Sequence, residues 1–217
     1  MNSTLPIVGA ILAFVAVFSQ SPPATVDYFP VGVFSVPLSS KGVDPYRYEK
    51  NPELDEMIRD GISRVLRDMD EPSLWEASQK QKSEIYRFIW LRSFSQPIAV
   101  RLTIDVDGSG DLVVKALSRS HGDDAASLVM DQRSHLPPIE VRSFIEKLTK
   151  ADFWDLPTDR LEDMYGRDGA TWIMEGTNDG AYHIVKRWSP RDSPYRDACM
   201  YLALGLARLK IPDREIY

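Results

Sequence analysis

The sequence predicts an α+β fold: a mostly antiparallel sheet of five or six strands packed against helices, with the C-terminal helix buried. Three observations lead there. Residues 98–117 and 168–190 each read as two strand-like runs folded about a Gly-containing turn, the pattern of a β-hairpin. Helical periodicities stand between these groups of strands. Residues 198–209 are apolar nearly all round, and a helix without a polar face is a buried one.

Length and composition set the outer limits. A chain of 217 residues accommodates one α+β domain, placed at residues 51–217, behind a leader at 1–20 and an extended segment at 21–50. Its apolar fraction of 43% suffices for a sizeable core. A net charge of −6 argues against a nucleic-acid partner, because that class of binding is driven by cations that neutralise phosphates. The Lys- and Arg-dense tract at 80–92 is also heavily apolar, so it reads as a strand and its approach.

The first charged residue is Asp27, and residues 5–18 form fourteen consecutive apolar, glycine or proline positions. That is short of the ~20 residues of a membrane span and right for the apolar region of a secretory signal. Cleavage is expected near Ser19 or Gln20, which makes the protein exported, periplasmic or secreted. An uncleaved leader would instead tether it to a membrane, the one route by which a membrane becomes a partner. The lone Cys199 excludes an intramolecular disulfide, and its apolar neighbours mark it as core material rather than a nucleophile.

The elements follow in order. Residues 20–50, rich in Pro, Ser and Gly with scattered aromatics, read as a segment lying over the domain. Asn51 as cap and Pro52 at the first helical position open a helix with Leu54, Met57, Ile58, Ile62, Val65, Leu66 and Met69 at helical spacing, ended by Pro72. Ser73 and Glu76 resemble a capping box that starts a short second helix toward Gln81. Residues 85–93, dense in aromatic and β-branched types, form the first strand. Pro97 begins the next hairpin, where pairing Val106 with Leu112, Ile104 with Val114 and Leu102 with Ala116 keeps apolar positions on one face. Arg101, Thr103, Asp105 and Lys115 then occupy the other face. SLVMDQR (127–133) supplies a fourth strand, and Pro137-Pro138 open a helix carrying Val141, Phe144, Ile145 and Leu148. An acidic loop spans 155–167, the second hairpin follows, and Ser193-Pro194 start the last helix.

That second hairpin, DGATWIMEGTNDGAYHIVKRWSP, carries the candidate chemistry. A three-residue turn at Asn178-Asp179-Gly180 would set Glu175 opposite His183 and Thr171 opposite Arg187. One face then holds a carboxylate beside an imidazole, with a guanidinium to fix an anionic group. A solvated cross-strand pair, a contribution of ~0.2–1 kcal/mol to the sheet, accounts for the same residues. No GxSxG or HExxH motif and no second histidine at metal-ligand spacing accompanies them. Asp105-Val106-Asp107-Gly108-Ser109-Gly110 resembles the start of a calcium loop, but the twelfth position is Ala116 where a closing carboxylate belongs. It is read as a hairpin turn, and neither a metal nor a cofactor is expected. His121 and His135 read as solvent-exposed, the acidic residues Asp159, Glu162, Asp163 and Asp168 as a solvated loop, and Trp90, Trp154, Trp172 and Trp188 as core rather than a sugar platform.

At FWDLP (153–157), DGATWIMEG (168–176) and YHIVKRWSP (182–190) the chain resembles an uncharacterised family of exported bacterial proteins, over about 130 residues from YRFIWLRSF (86–94) to the last helix. The resemblance implies a single exported domain and assigns no ligand or catalytic residue. The expectation is an exported, non-catalytic domain that binds a protein or small ligand through the polar face of its sheet, with Arg101, Thr171, Glu175, His183 and Arg187 as ligand-binding candidates. A small hydrolase built on Glu175 and His183, or a membrane-tethered structural or assembly protein, are the alternatives.

Overall fold

The computed structural model describes residues 26–34, 52–118, 126–160, 168–191 and 193–217. The leader, most of the 21–50 segment, Asn51, His121, Glu162 and Asp163 lie outside the described residues. Helices α1 (Pro52–Asp68) and α2 (Leu74–Lys80) precede strands β1 (Glu84–Arg92), β2 (Ile98–Ile104), β3 (Gly110–Leu117) and β4 (Leu128–Leu136). Helix α3 (Pro138–Lys150), the hairpin β5 (Ala170–Asn178) and β6 (Ala181–Trp188), and α4 (Pro194–Met200) complete the order, α4 running on as π-helical turns over Tyr201–Leu206. The six strands form one antiparallel sheet in the order β4-β3-β2-β1-β5-β6. The fold is α+β, as the hairpins predicted.

Both faces of this sheet are covered. Strand β1 shows why: Tyr86, Phe88 and Trp90 point to one side and Ile85 and Ile89 to the other, and all five are buried. On the first side Phe88, Trp90, Leu102, Val114, Trp172 and Met174 pack under α3 and α4. On the second side Ile89, Ile173 and Ile184 meet Ile62 and Leu66 of α1 and the rings of Tyr28, Phe29 and Phe34. The expectation of one oily and one solvated sheet face is therefore corrected. A strand apolar on both faces loses stability unless both are removed from water.

Turn chemistry overrides both expected registers. Asp179 (φ 48°) and Gly180 (φ 85°) form a two-residue turn, and Asn178 pairs with Ala181 instead of joining the turn. Two left-handed residues in succession give a turn whose twist matches the flanking strands, and Asp tolerates that conformation. The ladder moves by one residue, setting Glu175 against Ile184, Gly176 against His183 and Thr171 against Trp188. A one-residue shift sends a whole strand to the opposite face, so the expected pairing of Glu175 with His183 is overturned.

In the β2–β3 hairpin Leu102 pairs with Leu112 and Ile104 with Gly110, four positions from the expected register. Parity is preserved, so the face assignments of Leu102, Ile104, Arg101 and Lys115 stand. The longer loop is tied by Asp107 Oδ1, which accepts from Ser109 N (2.9 Å) and Ser109 Oγ (2.6 Å), leaving Val106 fully exposed.

The C-terminal helix is buried along one side only. Ala198, Cys199, Leu202, Ala203 and Leu206 lie in the core, whereas Gly205 is exposed and Leu204 half-buried. The chain leaves the helix before Arg208, which takes φ 53°.

Candidate functional site

The five candidates divide between the two faces. Arg101, Thr171 and Glu175 lie on the α1/α2 side; His183 and Arg187 lie on the α3/α4 side. Thr171, half-buried, lies four residues from Glu175 along β5 and on the opposite face from Arg187.

Around Glu175 the structure assembles a buried ionic cluster that the hairpin alone does not reveal. Register places Glu175, Arg87 and Arg101 in one row across β5, β1 and β2. Arg87 and Glu175 are both fully buried. Arg87 Nε donates to Glu175 Oε2 at 2.8 Å, and Nη2 lies 2.6 Å from the same oxygen as an ion-pair contact outside hydrogen-bond angles. Tyr182 Oη donates to Glu175 Oε1 at 2.9 Å. Burial pushes the Glu175 carboxyl above its ordinary range, with Arg87 and Tyr182 pulling the other way.

The second carboxylate arrives from the α1–α2 corner. Helix α1 ends with Asp70 in the left-handed conformation (φ 51°), Asp70 N donating to Arg67 O at 2.8 Å and Glu71 N to Leu66 O at 2.9 Å. This paired closure is a Schellman motif, and it turns Glu71 toward the sheet. Glu71 Oε2 accepts from Arg101 Nε at 2.9 Å and Arg87 Nη1 at 3.4 Å, and Lys115 Nζ lies 3.6 Å from Oε1. Lys115 also donates to Met69 O (2.8 Å) and Asp70 O (2.7 Å), placing a cation at the negative end of α1. Arg87 Nη1 reaches Pro72 O at 2.6 Å, and Tyr28 Oη donates to Glu71 O at 2.8 Å. The cluster fastens the α1–α2 corner to the sheet, its cations shared between the two carboxylates and the Met69, Asp70 and Pro72 carbonyls. Sequence parity held the signal: Arg87, Arg101 and Lys115 alternate with Ile85, Ile89, Ala99 and Leu117 on one face.

A third buried carboxylate stands on α1. Asp55, on the apolar side of α1, is buried and accepts from Gly32 N (2.9 Å), Phe34 N (2.8 Å) and Arg59 Nε (2.8 Å). Ser73 caps α2 as expected by accepting from Glu76 N, yet Glu76 Oε1 accepts from Asp27 N instead of closing a capping box. Residues 26–34 are thus strapped onto α1 and α2.

On the opposite face His183 packs between Phe153 and Trp154, with ring centroids 5.1 and 5.9 Å away. Gly176, its cross-strand partner, makes this possible, since a Cβ there would sit 2.8 Å from Phe153 Cε1. Burial lowers the imidazole's pKa, and Arg187 adds to the depression while Asp155 and backbone hydrogen bonds oppose it. His183 Nε2 is buried with no hydrogen-bond partner among the described residues, as suits a neutral ring. A depressed histidine contributes stability that is present above its unfolded pKa, about 6.5, and is lost as pH falls toward the folded value. Chemical denaturation at about pH 7.5 and pH 5 is expected to show the wild type losing more stability than His183→Phe, which keeps the ring packing without the titration. Equal losses would remove His183 as the cause.

Arg187 is buried with its guanidinium held by main-chain carbonyls: Nη1 donates to Lys186 O (2.6 Å) and Thr158 O (3.0 Å), and Nη2 to Pro157 O (2.8 Å). It stands 5.7 Å over the Tyr195 ring and forms one wall of a cleft between β6 and α4. That cleft encloses about 370 Å³, and its rim includes Arg160, Arg191, Ser189 and Ser193. Ser189 takes φ 39°, strain that turns its hydroxyl back to accept from Ala170 N at 2.9 Å. A neighbouring cleft of about 370 Å³ shares Ser189, Pro190 and Arg191 and adds Arg196 and Asp168.

The other singled-out residues settle individually. Trp90 and Trp172 are fully buried, whereas Trp154 is partly exposed. Asp159 is no solvated loop residue, since its Oδ1 lies 2.6 Å from Lys186 Nζ in a largely shielded pair. His135 is exposed, 3.0 Å from Asp111 Oδ1, and Asp105 lies close enough for the three to share a cation, though their mutual contact already accounts for them. Among the described residues no helix is long and apolar enough to cross a membrane.

Compared with known proteins, the chain matches no protein-family model and no curated protein.

Proposed function

We propose that this chain is an exported, non-catalytic binding domain that takes a small anionic ligand in the cleft between β6 and α4. One observation carries the reading: Arg160, Arg187 and Arg191 line that cleft together with Ser189 and Ser193. Guanidinium groups recognise carboxylate and phosphate oxygens through paired N–H donors, so three of them at one cleft match an anionic ligand in a chain whose net charge is −6. Arg187 is pre-oriented by its carbonyl partners, so ordering it costs a ligand little. The ligand face is thereby moved from the centre of the sheet, which helices cover, to the end of β6. Separation of Glu175 from His183 by the thickness of the sheet leaves the hydrolase alternative without its base and orienting carboxylate.

Titration with inorganic phosphate and with citrate at constant ionic strength, followed by amide chemical shifts, tests the reading. Saturable shifts at residues 187–196 are expected, weakened at least about tenfold by Arg191→Ala, an exposed position. Linear, non-saturating shifts, or shifts indifferent to the substitution, would sink it. Mass spectrometry of the mature N-terminus addresses export: a start near Gln20 or Ser21 supports the signal peptide, and an intact leader supports the membrane tether.

A further inference from the structure

The two edges of the sheet are treated differently. At the β6 edge the 157–160 segment runs alongside, with Lys186 N donating to Thr158 O at 2.7 Å and Arg187 bonding Thr158 O and Pro157 O. At the other edge β4 pairs with β3 on one side, and among the described residues no main-chain partner meets its other side. Strand β4 is nine residues long and exposed at nearly every position, with Leu128 at 42% and Val129 at 52%. An uncovered strand of that length is a template for another strand.

The sequence of β4 indicates which strand fits. About Gln132 it reads Leu128, Val129, Met130, Asp131, then Arg133, Ser134, His135, Leu136. If a second copy is laid antiparallel with Gln132 facing Gln132, Asp131 of each chain opposes Arg133 of the other. Met130 then opposes Ser134 and Leu128 opposes Leu136. Both charged residues project on the same face and are exposed, with side chains 39% and 73% accessible. Moving the centre to Asp131 or to Arg133 brings like charges face to face, so the neighbouring in-phase registers are disfavoured. The two Gln132 amides can donate to and accept from each other across the axis.

We propose that a second copy of this chain docks on β4, joining two six-stranded sheets edge to edge about a twofold axis through Gln132. The register break between Ala116 and Leu117 bends the start of β4, which confines the pairing to its central residues and makes the dimer a weak, concentration-dependent one. The cleft between β6 and α4 lies at the opposite edge of the sheet and stays open in this dimer.

Sedimentation velocity of the purified chain up to about 0.5 mM measures the self-association. Asp131→Arg and Arg133→Asp each replace two attractive contacts by two repulsive ones and are expected to weaken the dimer at least about tenfold. The double swap Asp131→Arg/Arg133→Asp restores opposite charges in the same register and is expected to recover it. Both side chains are exposed, and circular dichroism of each variant verifies its fold. A wild type that stays monomeric throughout overturns the proposal. So does a dimer indifferent to the single substitutions, or a folded double variant that remains monomeric.

Discussion

Arg87→Met is expected to lower folding stability by about 3–5 kcal/mol, measured by chemical denaturation, because it strands Glu175 in the interior with its charge uncompensated. Methionine fills much of the same volume, so the loss is electrostatic rather than a cavity effect. Glu175 would keep only the Tyr182 hydroxyl, and the Pro72 carbonyl would lose its donor. The double variant Arg87→Met/Glu175→Met removes both members of the pair, and is expected to be more stable than Arg87→Met alone, since a matched apolar pair often equals a buried ion pair. Losses that simply add would show that the two residues act independently. Glu71 remains compensated in the double variant, as Arg101 and Lys115 still reach it.

Asp55→Ala is expected to cost about 3 kcal/mol, since hydrogen bonds to a charged acceptor contribute roughly 1.5–3 kcal/mol each and three are lost together, offset in part by relaxation. The more specific readout is proteolysis. Gly32 N and Phe34 N anchor the strap through this carboxylate, and the strap seats Phe29 and Phe34 against Ile62 and Leu66. Cleavage within residues 26–34 should accelerate in Asp55→Ala and recover partly in Asp55→Asn, whose amide oxygen can still accept. A strap that stays protected in Asp55→Ala would mean the aromatic packing holds it unaided.

The hairpin candidates show how far alternation reads. Parity assigned Leu102, Ile104 and Lys115 to their proper faces although the pairing was displaced by four residues, because an even displacement leaves faces unchanged. At β5–β6 the displacement was one, and the proposed partnership of Glu175 with His183 dissolved. The difference arose at Asn178, which is equally acceptable as a turn residue or as the last ladder position. Only twist compatibility with the flanking strands chooses between them.

Strand β1 carries a further signal in its sequence. IYRFIWL has no polar face, and a strand without one belongs inside a sheet covered on both sides. The one charged side chain within that run, Arg87, is therefore bound to be interior and in need of partners. The sequence does not name them, since Glu71 comes from a helix corner and Glu175 lies 88 positions away. Local pattern thus determined the class of fold, the helices with the serine caps of α2 and α4, and which residues within one strand share a face. Tertiary structure alone decided the registers, the second cover on the sheet and the partners of each buried charge. Periodicity is a property of consecutive residues, whereas charge compensation joins residues that meet only after the chain has closed on itself.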